Sequence, residues 1–136
     1  MNFVTLKPHQ FESWKKRCWP HIQSVIQRSH GRYNEASVLD AIRAGEFWVI
    51  VVQENGTCMA TLLAQPVTWK TGLKELQVLG LSGRDSSSWL HLEREFAALA
   101  KSLNFDIVKS EARFGWTRKL KDRGWKATHA IMELVL

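Results

Sequence analysis

The chain has 136 residues, 45% of them hydrophobic and 24% charged, with a net charge of +6. That balance suits one globular domain with its own core and excludes a disordered chain. No run reaches the roughly 18 to 20 apolar residues of a membrane-spanning helix. Residues 1–7 lack the basic start and long apolar stretch of a secretory leader, so a cytoplasmic protein with no membrane partner is expected.

In chain order, residues 3–7 alternate enough for a short first strand. Pro8 opens a helix that places Phe11, Trp14, Cys18 and Trp19 on one face. Pro20 should break or restart that helix, because it lacks an N–H and crowds the preceding turn. A second segment, 21–29, turns Ile22, Val25 and Ile26 inward, and Gly31-Arg32-Tyr33-Asn34 reads as a loop. Asn34 or Ser37 can cap the next helix, whose apolar positions are Val38, Leu39, Ile42 and Ala44, with Gly45 as its C-cap. Residues 47–53, Phe-Trp-Val-Ile-Val-Val-Gln, are a strand, and Asn55-Gly56 is a hairpin turn into a returning strand, 57–65. Pro66 ends that strand or bends it.

The stretch 73–136 reads as strand (73–81), Ser-rich turn, long helix (87–103), strand (106–112), short basic helix (115–123) and final strand (125–136). An antiparallel meander followed by a β-α-β unit implies an α+β domain spanning 1–136: a mixed, mostly antiparallel sheet with helices on both faces. The strands flanking the long helix should be parallel. A polar turn before a helix leaves free backbone N–H groups that suit a phosphate. The matching residues are Gly83, Arg84, Asp85, Ser86, Ser87 and Ser88.

Between positions 101 and 126 eight Lys and Arg face three acids, a local excess that suits nucleic acid, an acidic protein or a phosphorylated cofactor. Seven tryptophans suggest a core rich in indoles, with one or two left to line a pocket. Cys18 and Cys58 read as two reduced thiols, and neither they nor His9, His21, His30 and His91 show metal-ligand spacing, so no metal is expected.

The element order, with Gly31-Arg32-Tyr33, Phe47-Trp48-Val49, residues 111–116 (Glu-Ala-Arg-Phe-Gly-Trp) and Gly124-Trp125, resembles the GNAT superfamily of acyl-CoA-dependent N-acyltransferases. Residues 113–136 also look like short GNAT-like proteins of bacteriophages, some of them internal virion proteins. The first resemblance implies acetyl-CoA or another acyl-CoA as cofactor and a small-molecule or protein amine as acceptor. It implies a thioester carbonyl polarised by a backbone N–H near Leu79–Leu81, and a pyrophosphate on an Arg/Gln-x-x-Gly-x-Gly/Ala loop. Here that loop reads Arg84-Asp85-Ser86-Ser87-Ser88-Trp89, with Ser87 and Trp89 where small residues are expected. Serine donates to phosphate and caps helices, whereas tryptophan does not let a backbone approach. The tyrosine that commonly protonates the leaving thiolate is replaced by Leu120, in Leu120-Lys121-Asp122-Arg123-Gly124-Trp125.

For a general base the candidates are Glu75 and Glu111, with His129 behind them. Tyr33, Arg113 and Trp116 are candidates for contact with a substrate or partner. Three functions remain open at this point. One is acyl transfer. Another is a catalytically silent phage protein acting with a phage or host protein in the virion interior or the infected cell. The third is a nucleic-acid-binding module using Arg118, Lys119, Lys121 and Arg123.

Overall fold

The computed structural model describes residues 1–136, the side chain of Phe114 excepted. Five strands form one sheet in the order β1 (Asn2–Leu6), β2 (Trp48–Glu54), β3 (Thr57–Thr68), β4 (Lys74–Gly83) and β5 (Ile107–Ser110). The first three pairings are antiparallel and β4–β5 is parallel, so the expected α+β architecture stands. Alternation along β2 shows why both faces must be covered. Val49 and Val51 join one buried cluster with residues of α1 (Pro8–Gln27) and α2 (Glu35–Arg43). Ile50 and Val52 belong to clusters on the other face.

Local chemistry sets the boundaries of these elements. Pro8 opens α1, where a missing N–H costs nothing, and the Lys7 N–H donates to Gln10 Oε1 at 2.9 Å. Asn34 and Ser37 cap α2 reciprocally: Ser37 N–H donates to Asn34 Oδ1 (2.8 Å) and Asn34 N–H to Ser37 Oγ (3.1 Å). Gly45 ends the helix at φ +76°, and Asn55-Gly56 turns the β2–β3 hairpin with φ of +51° and +80°.

The other two prolines lie inside elements: Pro20 does not break its helix and Pro66 does not end its strand. Pro20 lies inside a continuous α1. Phe11, Cys18, Ile22 and Val25 are buried on either side of it, so packing holds both halves on one axis. Pro20 and Lys16 are both exposed, which lets water serve the Lys16 carbonyl that loses its donor. Pro66 lies inside β3. Its nitrogen faces the β2 side, but β2 starts at Trp48, opposite Ala64, so no ladder bond is lost there.

The expected long helix 87–103 is broken into α3 (Ser86–Trp89), a 3-10 turn (Leu90–Leu92) and α4 (Glu93–Ser102). Trp89 leaves helical geometry (φ −125°, ψ −4°), and its indole N–H reaches back to the Arg84 carbonyl at 2.8 Å. After β5 comes α5 (Phe114–Lys121).

The expected final strand, 125–136, is not formed. Gly124 (φ +90°) turns the chain after α5, Trp125 Nε1–H donates to Glu93 Oε1 at 2.7 Å, and Glu133 pairs with Arg32 at the α1–α2 loop. The segment pairs with no strand, and β5 is the last strand of the sheet order. A strand needs a neighbour for its N–H and C=O groups, and apolar alternation does not supply one.

Candidate active site at the fork of two strands

Strands β4 and β5 run side by side from Glu75 and Ile107 to Val78 and Ser110, and there their pairing stops. On the other edge of β4 the register slips by one: Leu63 faces Gly80 and Ala64 faces Val78, which makes Leu79 the extra residue of a β-bulge. A bulge bends its strand, and this one sits where β4 parts from β5. The result is a fork with Leu79–Gly83 on one arm and residues 111–113 on the other.

The backbone of the β4 arm can be oriented from the ladder. Arg84 N–H donates to Met59 O (3.0 Å), which marks that pair as hydrogen-bonded. Strict alternation then turns the N–H and C=O of Leu81 and Gly83 away from β3, into the fork. The Leu81 carbonyl accepts from Arg28 Nη2 at 2.9 Å. Gly83 is required by space, since a Cβ there would lie 2.4 Å from Ala60 Cβ.

A cavity of about 520 Å³ opens at this fork. Arg28 enters from just beyond α1, Arg113 from the β5–α5 link and Lys119 from α5, while Ser82, Gly83 and Ser86 supply polar wall. Lys119 Nζ donates to Ser86 Oγ (2.9 Å) and lies 4.9 Å from the Trp116 ring centre, a cation–π distance. Trp116 packs on buried Trp89 at 6.1 Å between ring centres. Asp85 is the one acid lining the cavity, yet Arg28, Arg113 and Lys119 make no ion pair among the described residues. The Arg28 guanidinium is pushed below its ordinary pKa by burial and by the nearby charge of Arg113.

Several expected site residues gather here: Leu81, Gly83, Ser86, Arg113 and Trp116 line the cavity, while Leu79 is the bulge residue of the fork and packs against the core beneath α1. Others do not. Arg84 is exposed and does not line the cavity. Ser87 Oγ donates to Asp85 Oδ1 (2.7 Å) and Ser88 Oγ to the Asp85 carbonyl (2.8 Å), so both hydroxyl protons are used within the turn. Tyr33 packs edge-on against Phe47 at 5.8 Å, at the margin of the core beneath α1 and α2. His129 is exposed and contacts Thr128.

The two carboxylates part company. Glu111 is exposed and is the first residue past the end of the ladder, level with the Leu79 bulge. Glu75 lies four residues back along β4, about 13 Å at strand rise. It is only 7% exposed and accepts from Trp69 Nε1 (3.3 Å) and Gln77 Nε2 (2.8 Å). Sequence reasoning missed Arg28 and Trp89 as wall residues; it counted Lys119 in the basic excess suited to nucleic acid, an acidic protein or a phosphorylated cofactor, and the structure sets it in the cavity wall. The spacing of Arg28 three residues after inward Val25 is the one local sign that its stem follows the buried face of α1.

The sequence matches no protein-family model and no curated protein sequence. The fold has clear counterparts. One is a ribosomal-protein-alanine N-acetyltransferase from Brucella melitensis biovar Abortus 2308, with TM-score 0.69 and 14% identity over 100% of this chain and 99% of that one. A second is an aminoglycoside acetyltransferase from an uncultured soil metagenomic sample, in complex with sisomicin (TM-score 0.71, 9% identity, 99% and 94% covered). A third is a predicted acetyltransferase from Clostridium acetobutylicum with acetyl-CoA (TM-score 0.63, 12% identity, 98% and 95% covered). The chain therefore has the fold of the GNAT acetyltransferases. These likenesses give no support to the phage resemblance. Among the described residues no cluster of His, Cys, Asp and Glu could hold a metal, and no helix is long and apolar enough to cross a membrane.

Proposed function

We propose that this protein is an acyl-CoA-dependent N-acyltransferase working at the β4–β5 fork on a small-molecule or protein amine. The observation that carries this reading is the fork itself: outward backbone N–H groups on one arm and a cavity with three cations that have no ion-pair partner among the described residues. Such a site fits a phosphorylated carrier in charge, because cations crowded together without an anion are stabilised when one arrives. The choice of an amine follows structures of the same fold that are named for aminoglycosides and for a ribosomal-protein alanine.

Bound acyl-CoA would supply an acyl group activated as a thioester. The Leu81 N–H, turned into the fork, would donate to the acyl oxygen as it gains charge, the role that fixed dipoles fill best. Glu111 stands nearest the bulge and is the favoured acceptor of the proton released by the attacking amine. Glu75 serves that role only through ordered water or an acceptor reaching four residues down β4. With Leu120 where the family has tyrosine, the proton for the departing thiol would come from solvent or from the proton held on Glu111. Trp116 and Trp89 wall off one side of the cavity and limit water there.

Calorimetric titration with acetyl-CoA and CoA tests the reading. Saturable heat with both ligands, and loss of it on Gly83→Val, is expected. No heat at millimolar ligand would sink the proposal. That outcome would favour a second reading, which rests on the buried Trp89 in the loop and on Leu120: a fold that has kept its scaffold, lost its acyl chemistry and binds a protein partner.

A further inference from the structure

We propose that the anion at this site is gripped by side chains from three separate elements, Arg28, Arg113 and Lys119, in place of a backbone loop at the start of α3. The ligand class is a diphosphate ester. This inference rests on reading the fork as the site of a phosphorylated carrier, and it departs from the loop recognition that the sequence resemblance implies.

The loop is poorly suited to the task. α3 is a single turn of four residues, and Asp85, at its start, holds a left-handed φ of +46°. Two of the three serine hydroxyls are committed to Asp85, so the loop keeps few side-chain donors for a phosphate, and the Asp85 carboxylate, which lines the same cavity, has to be outweighed by the three cations. Trp89 sits in the core, and its indole N–H occupies the Arg84 carbonyl at 2.8 Å, which ties the loop down on the side where a small residue would let a ligand approach the backbone.

The three cations have the opposite character. Each lines the same cavity, and each comes from a different part of the chain. Arg28 is anchored by one bond, Nη2 to Leu81 O, which leaves the rest of its planar fork for an anion. Lys119 is steered by Ser86 Oγ and the Trp116 face, and an ammonium has donors left beyond one such bond. Burial beside Arg113 lowers the pKa of Arg28, and a bound dianion would relieve that repulsion. Arg28 also bonds to Leu81, whose N–H would meet the acyl oxygen in the proposed reaction. It is therefore a positioning residue as well, tying the phosphate end of the ligand to Leu81.

Direct binding decides the matter without any turnover. Inorganic pyrophosphate, 3′,5′-ADP and CoA are titrated into the wild-type protein and into Arg28→Gln, Arg113→Gln, Lys119→Gln and Arg84→Gln. Circular dichroism and melting curves confirm that each variant is folded, and Arg28→Lys stands in if Arg28→Gln is not. Each of the three clamp variants should bind pyrophosphate and CoA about tenfold more weakly or worse, as expected for one lost charge-assisted hydrogen bond. Arg84→Gln should stay within about twofold of wild type. The proposal is overturned if Arg84→Gln suffers the larger loss, if the clamp variants bind as wild type does, or if the wild type binds none of the three probes. Pyrophosphate binding that follows the clamp, with no acyl transfer to any amine, would uphold the clamp and remove the acyltransferase reading alone.

Discussion

Substituting Gly80 by alanine should lift α1 from the sheet at the point where the fork begins. A Cβ built at Gly80 would lie 2.3 Å from Val25 Cγ1, 2.9 Å from Cγ2 and 3.1 Å from Cβ. Val25 is 4% exposed and β-branched, so it has no free rotamer into which to retreat. Overpacking of this kind costs about 1–3 kcal/mol. For a chain of this length that corresponds to a drop of roughly 3–15 °C in melting temperature. Val25→Ala alone should destabilise by creating a cavity, but the double variant Gly80→Ala/Val25→Ala should recover part of the loss, since the new methyl fills the space of the old ones. Thermal and urea unfolding of the four proteins give the coupling energy. Strict additivity, or an unchanged melting temperature in Gly80→Ala, would refute the argument. The same variant should also weaken CoA binding, because Arg28 follows Val25 by three residues and reaches Leu81 from the displaced helix.

Trp89→Ala should cost about 3–5 kcal/mol in urea unfolding, from a large buried ring lost. Trp89→Phe should cost less, keeping the ring contact with Trp116 and losing the bond to Arg84 O. Cys18 is fully buried and its thiol is pushed up to about 12 by burial, while burial also raises Cys58. Neither should react with iodoacetamide at pH 8 in the native protein, both should react in urea, and rapid native labelling of Cys18 would contradict the packing described. Burial holds the His21 pKa below 6.5. The unfolded chain therefore takes up this proton first on acidification, so the contribution is complete above about pH 6.5 and is lost as pH falls through the lower folded value. Melting temperature followed from pH 7.5 to 5 should fall less steeply in His21→Gln than in wild type, and superimposable profiles would exclude the effect.

Much of the fold was legible because its signals are local. The Asn55-Gly56 turn, the Asn34/Ser37 cap, Gly45 and the β-branched and aromatic run of residues 47–53 each act through a few neighbouring residues, and all stand in the structure. Failures came where a distant partner decides. Pro20 survives in α1 because four buried side chains pin both halves of the helix, and Pro66 survives in β3 because β2 has not yet begun. Residues 125–136 have the apolar content of a strand and pair with none. In the site, the β4 arm and its neighbourhood could be read from the chain, but the side chains that converge on the cavity could not. Arg28 and Lys119 are brought together by the packing of α1 and α5 around the fork, and no pattern within one segment encodes that approach.

Composition and periodicity thus determined a mixed α+β domain and marked the polar turn after its fourth strand as a place for an anion, because burial and turn chemistry are properties of short stretches. Tertiary structure alone decided which charges face that opening and which backbone groups stay free within it, because both depend on where the sheet ladder stops and on which helices close over the gap.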